Sequence, residues 1–276
     1  MAKSSGKPLE VLCAQIFLGH QWNARLGSYY QDSTNKTREL DVLAEKEVVL
    51  ENPPNFTVRV RALVSCRGFP ADQSALVYSV SPHCVPSFTP MLLGGHLLAK
   101  STSPGGPIPP LEQEGAVVFL AMGKLNTVRP IVAFDVTERK EERKRSVTAV
   151  SFERKGDKQI FEAIDSCVNA AQSWVNMDYL PGRPFPFAAL NVPVCLLSMP
   201  FWDVCIDNAK VGSAEIQRRG YQTIRHPGIF REREIMTVMW AAEELDGLLF
   251  ALDHLFDWFR GEIELRAKKG AFSLTS

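Results

Sequence analysis

The residues best equipped for chemistry are Arg38-Glu39-Leu40-Asp41-Val42-Leu43-Ala44 and, further along, Val64-Ser65-Cys66-Arg67. Successive side chains of an extended strand alternate between faces, so Leu40, Val42 and Ala44 are expected on one face and Glu39, Asp41 and Leu43 on the other. Glu39 and Asp41 then put two carboxylates on one face. Ser65 adds only a neutral hydroxyl. Arg67 can bind phosphate in a bidentate way but stays protonated and cannot serve as a base. Cys66 is a candidate thiolate because a neighbouring arginine lowers a thiol's pKa, although the sequence sets no His or Asn partner beside it. In the plainest alternative Glu39 pairs with Arg59 or Arg61 across a hairpin, and Asp41 is a hydrogen-bonded polar group.

These residues need elements to hold them. Leu9, Leu12, Cys13, Ile16 and Phe17 recur at helical spacing and predict a first helix that Gly19 can close in a left-handed cap, with Gln15 near the strand carboxylates. Ala24 to Tyr30 reads as a strand, and the turn Gln31 to Lys36 leads into the Glu39/Asp41 strand as a hairpin. After Asn52-Pro53-Pro54-Asn55, the alternation from Phe56 to Ser65 predicts a third strand. The Pro- and Gly-dense stretch from Ser81 to about Gly115 predicts an irregular loop, and its glycine pairs lack the Lys-Ser/Thr of a phosphate loop. Ala116 to Met122 and Val128 to Val136 read as two more strands. Glu138 to Arg145 reads as a solvated charged face.

A second core helix is expected from about Asp157 to Met177, where Ile160, Ala163, Ile164, Cys167, Ala171 and Trp174 recur. Val192 to Met199 predicts a strand buried on both faces, and a shorter strand follows at Val204 to Ile206. Leu245, Leu248, Leu249, Leu252, Leu255, Phe256 and Phe259 form the stripe of a C-terminal helix, which either closes the core or offers a partner surface. Asp253, His254 and Asp257 on that helix read as solvated surface, and Glu112-Gln113-Glu114 could reach the strand carboxylates only if their loop folds back.

Composition narrows the function. Lys plus Arg equals Asp plus Glu, 31 against 31, so no overall field draws the chain to nucleic acid or membrane, and such binding needs a local patch. No stretch approaches the roughly 18 apolar residues of a membrane span. The six cysteines form no CxxC pairs and the five histidines no zinc-spaced cluster, which points to reduced thiols in a cytoplasmic protein without structural zinc.

The order helix, three strands, helix, strand, with a carboxylate on the second strand and a polar pair ending the third, resembles the restriction-endonuclease-like, PD-(D/E)xK nuclease superfamily. Gly27-Ser28-Tyr29-Tyr30-Gln31-Asp32 followed by Arg38 to Ala44 is similar to a "YxD…REIDVLA" block of bacterial members, and Val64-Ser65-Cys66-Arg67 is similar to their "VECK". The resemblance implies an α/β fold whose central mixed sheet is flanked by helices, with a core of about 7–80 and 157–207, an insertion of about 81–150 and a C-terminal helical segment of about 233–268. It implies Mg2+ bound at Asp41 and a nucleic acid substrate, DNA in the first instance, in a bacterial setting. The second motif departs from the pattern, with Ser65 in place of the Glu and Arg67 in place of the Lys. The expectation is therefore a degenerate site and a nucleic-acid-binding or scaffolding module, with Arg59, Arg61 and Arg67 as phosphate contacts. The alternatives are an active Mg2+-dependent endonuclease in which Glu39 joins Asp41 as a migrated ligand, and an interaction subunit that docks through its C-terminal helix.

Overall fold

The computed structural model describes residues 7–32, 34–52, 54–70, 73–80, 92–95, 97–99, 111–122, 131–138, 155–178, 187–199, 201–206, 214–219, 221–226, 235–268 and 272–274. The elements run α1 (Lys7–Gly19), β1 (Asn23–Gln31), β2 (Thr37–Leu50), β3 (Phe56–Arg67), β4 (Gln73–Val80), β5 (Leu92–Gly95), β6 (Leu97–Ala99), α2 (Leu111–Met122) and β7 (Ile131–Glu138). They continue with α3 (Lys155–Asp178), β8 (Phe187–Leu197), β9 (Phe201–Ile206), β10 (Ala214–Arg219), β11 (Tyr221–His226), β12 (Ile235–Ala241), α4 (Leu245–Lys268) and β13 (Phe272–Leu274).

A seven-stranded sheet in the order β1-β2-β3-β8-β12-β11, with β5 also on β8, forms the centre. The first three strands are antiparallel, whereas β3, β8 and β12 run parallel, so the sheet is mixed and the fold is α/β. Helices cover both faces. Val42, Ala44, Val58, Val60, Ala62, Val64 and the even-numbered residues of β8 pack with α1, α2 and α4. Leu43, Leu63, Cys195, Leu197 and Met239 pack on the other side with α3. This two-sided burial explains why β8 is buried throughout and apolar but for Asn191, as the run from Val192 suggests. Pro193 is tolerated in this central strand because it lies between the last pair with β5, at Asn191, and the first with β12, at Val194, where that edge has no partner to bond.

Four expectations need correction. Ala116 to Met122 is the second half of helix α2, not a strand. Leu111, Gly115 and Phe119 recur one helical turn apart on its buried side, and a Cβ on Gly115 would come within 3.2 Å of Leu190 and Trp258, so the glycine lets α2 press against β8 and α4. The strand expected at Val128 to Val136 lies at Ile131–Glu138. The stretch expected to be an irregular loop carries β5, β6 and the first turn of α2. The left-handed residue after α1 is Gln21, with φ 64°, rather than Gly19.

The stripe of α4 is buried from Leu245 to Phe259, so it closes the core rather than forming a surface. Glu138 is described as the end of β7, and the rest of the expected charged face, 139–145, lies outside the described residues. No described helix is long and apolar enough to cross a membrane.

Candidate functional site at the fork of β2 and β3

Asp41 sits where the sheet comes apart. The β2–β3 ladder ends at Val42 opposite Val64, so Asp41 and Ser65 are the first residues beyond it. On the other side the β1–β2 ladder skips the pair Gly27 and Asp41, because Gly27 is left-handed with φ 64°. Strand alternation slips here. Leu40 packs with Leu43 and Tyr30 on the α3 side, whereas Val42 and Ala44 face α1 and α4, so Leu40 does not share a face with Val42 as alternation alone predicts.

The Asp41 carboxylate takes over from the missing ladder. Its Oδ2 accepts hydrogen bonds from the Cys66 N–H at 2.6 Å, the Ser65 hydroxyl at 3.1 Å and Arg67 Nη1 at 3.2 Å. Arg67 Nη1 also donates to the Cys66 carbonyl at 2.8 Å. Ser198 at the end of β8 donates its N–H to the Arg67 carbonyl at 3.0 Å, and its Oγ accepts the Phe69 N–H at 2.7 Å. The site thus lies at the carboxyl ends of two parallel strands, the customary ligand position in open α/β sheets.

Glu39 is exposed on the same strand, and its Oε1 lies 3.0 Å from where a Cβ on Gly27 would be. Helix α1 adds a carboxylate that strand patterning misses. Glu10 is held above the usual carboxylate range by its burial and by the charge of Asp41, with Glu39 adding to the effect and Lys7 and Arg67 opposing it. Glu10 is the one acid in a helix whose only other polar residues are Lys7 and Gln15, and that is its signal in the sequence. Gln15, the helix residue expected near the site, is exposed.

The other expected participants are placed differently. Cys66 is buried and its thiol is pushed up by a hydrogen bond with the Cys13 thiol and by burial, so the activation expected from Arg67 is outweighed. Arg61 is fully buried. Its Nε donates to Glu45 at 2.8 Å and its Nη1 to Asp178 at 2.6 Å, so it offers no surface to a phosphate and serves the core instead. Arg59 is paired with Glu47 and lies 3.7 Å from Glu45. The cross-hairpin charge pairs therefore exist, but at Glu45 and Glu47 rather than Glu39. Asp32 in the motif-like block organises the β1–β2 turn, accepting from the Thr34 hydroxyl at 2.6 Å, the Thr34 N–H at 2.8 Å, the Lys36 N–H at 3.0 Å and Arg38 Nε at 2.8 Å, and these bonds, that from the Thr34 hydroxyl first, hold its carboxyl far below the usual range.

On α4, Asp253 is no solvated bystander, since it accepts from Trp22 Nε1 at 2.9 Å and from Lys46 Nζ at 2.6 Å. His254 is exposed, with Nδ1 2.9 Å from the Phe250 carbonyl, and Asp257 is exposed. Glu114 pairs with Arg266 of α4, away from the fork, and the side chains of Glu112 and Gln113 lie outside the described ones.

No protein family, curated protein or solved structure matches this chain. The functional reading therefore rests on the geometry and on the motif resemblance. A divalent cation does not fit the fork as built. Asp41 Oδ2 already has three donors, Ser65 brings no charge, Arg67 brings a competing positive one, and among the described residues no group of three or more His, Cys, Asp or Glu could hold a metal ion.

Proposed function

We propose that the chain is a catalytically silent, nuclease-like module that acts by binding or scaffolding rather than by cleaving phosphodiesters. The observation that carries this reading is the closure of Asp41 by Ser65, Cys66 and Arg67. In the restriction-endonuclease-like pattern the first and last of these positions would hold a second carboxylate and a lysine. Here they turn the carboxylate inward as an acceptor that staples β2 to β3.

Nucleic acid, DNA first, is the partner class that the motif resemblance brings. Of the three expected phosphate contacts, Arg67 is the one suited to it, with a side chain 30% exposed at the carboxyl end of β3. Arg61 is sealed in the core, and Arg59 is engaged by two glutamates. A single arginine tied to an aspartate is a weak phosphate anchor, which favours scaffolding over nucleic acid binding.

The test measures cleavage of single- and double-stranded DNA and RNA with Mg2+ or Mn2+, alongside fluorescence anisotropy binding to the same strands. Wild-type protein is expected to cleave no faster than Asp41→Ala. Metal-dependent cleavage that disappears in both Asp41→Ala and Glu39→Ala would overturn the reading in favour of a migrated two-carboxylate site. Binding that is lost in Arg67→Ala while wild type stays silent would identify the module as a nucleic acid binder.

A further inference from the structure

Buried polar groups normally have hydrogen-bond partners. Under α3, two donors do not. Arg61 Nη2 and Trp174 Nε1 are both buried with no partner among the described residues. The remaining guanidinium nitrogens are used, Nε by Glu45 and Nη1 by Asp178, with Asn191 Oδ1 at 3.4 Å. The Thr237 hydroxyl is a third such buried group among the described residues, and it lies on β12 in alternation with Met239, which faces α3.

Each dry donor would cost about 1–3 kcal/mol. Arg61 and Trp174 are neighbours, with the guanidinium carbon 5.0 Å from the indole ring centroid. One oxygen at about 2.9 Å from each of two donors bridges a separation of up to about 5.8 Å, the scale of this guanidinium–indole contact, and a shared acceptor is the simplest way to satisfy both. The charge balance selects the acceptor. Arg61 already faces two carboxylates, Glu45 and Asp178, Glu45 is also reached by Arg59 and Arg25, and Arg59 pairs with Glu47, so three positive charges meet three negative ones. No net positive charge is left to hold an anion, whereas a neutral oxygen meets the need without unbalancing the cluster.

We propose that α3 and the β3–β8 face enclose a binding site for one hydrogen-bond acceptor oxygen, held by Arg61 Nη2 and Trp174 Nε1 and supplied by an ordered internal water. An oxyanion such as phosphate presents the same oxygen chemistry, so the test separates the two sources. High-resolution diffraction is collected from crystals grown without phosphate or carboxylate buffers and from the same crystals soaked in sodium phosphate. The expected result is a single isolated oxygen peak within about 3.2 Å of both nitrogens, unchanged by the soak. Tetrahedral density after soaking would keep the acceptor site and overturn its assignment to water. An empty gap, or a protein carbonyl in that position, would overturn the site itself.

In solution, the indole N–H of Trp174, assigned by its loss in Trp174→Phe, is expected to show cross-relaxation with a long-lived water. An indole proton that shows none would count against the proposal independently of the crystals.

Discussion

Glu10 and Gly27 are the residues on which the fork makes its clearest demands. The Glu10 carboxyl is raised chiefly by burial and by Asp41, so the folded chain holds that proton more tightly than the unfolded chain does. Stability is therefore greater while Glu10 is protonated, and it is lost as pH climbs from the ordinary carboxylate value through the raised folded one. Glu10→Gln removes this loss. It is expected to be more stable than wild type at pH 7 and to lose that advantage at pH 4, as read from urea midpoints at the two values. An equal difference at both would show that neither burial nor Asp41 raises the Glu10 carboxyl. Gly27 makes a conformational demand, since its φ of 64° is costly for other residues and Glu39 Oε1 occupies the space a Cβ would approach. Gly27→Ala is expected to cost about 1–2 kcal/mol in denaturant unfolding, while Gly27→Asn, which tolerates the left-handed region, costs less.

Elements were legible where one periodicity governed them. Helices α1, α3 and α4 stand where apolar spacing puts them, the hairpin of β1 and β2 where its turn residues put it, and the doubly buried β8 begins at Phe187, five residues before the run from Val192. Helix α2 is hidden in the sequence because GAVVFLAM is continuously apolar, and such a run does not distinguish a strand from a buried helix. The sheet faces at Asp41 depart from simple alternation for a local reason, namely that a left-handed glycine on the neighbouring strand interrupts it. The polar partners were the least legible, because they come from distant elements. Asp253 looked like surface along its own helix, yet it joins α4 to β2 through Lys46 and to the start of β1 through Trp22. Asp253→Ala leaves an indole donor and an ammonium without their acceptor and is expected to cost about 1–3 kcal/mol. Asp253→Asn, which still accepts from Trp22, should recover part of that, and equal losses in the two variants would assign the effect to charge.

At the scale of the whole molecule, the sheet is covered on both faces, and the α3 side carries a charged cluster within an otherwise apolar interface. Arg61 is the hub, since β2 reaches it through Glu45, α3 through Asp178 and Trp174, and β8 through Asn191. Burying such a cluster contributes little net stability, because desolvation offsets most of the attraction, but removing one member strands the others. Arg61→Ala is accordingly expected to cost about 3–5 kcal/mol, a large share of the roughly 5–15 kcal/mol that keeps a domain folded. The apolar double variant Arg61→Met with Asp178→Leu removes the principal buried charge pair while filling its volume. It should be markedly more stable than Arg61→Ala, because Glu45 keeps Arg59 and Arg25 as partners. Urea unfolding of the two variants decides between these accounts: if the double variant were as unstable as Arg61→Ala, the cluster would be a net source of stability rather than a device that sets the docking of α3 on the sheet.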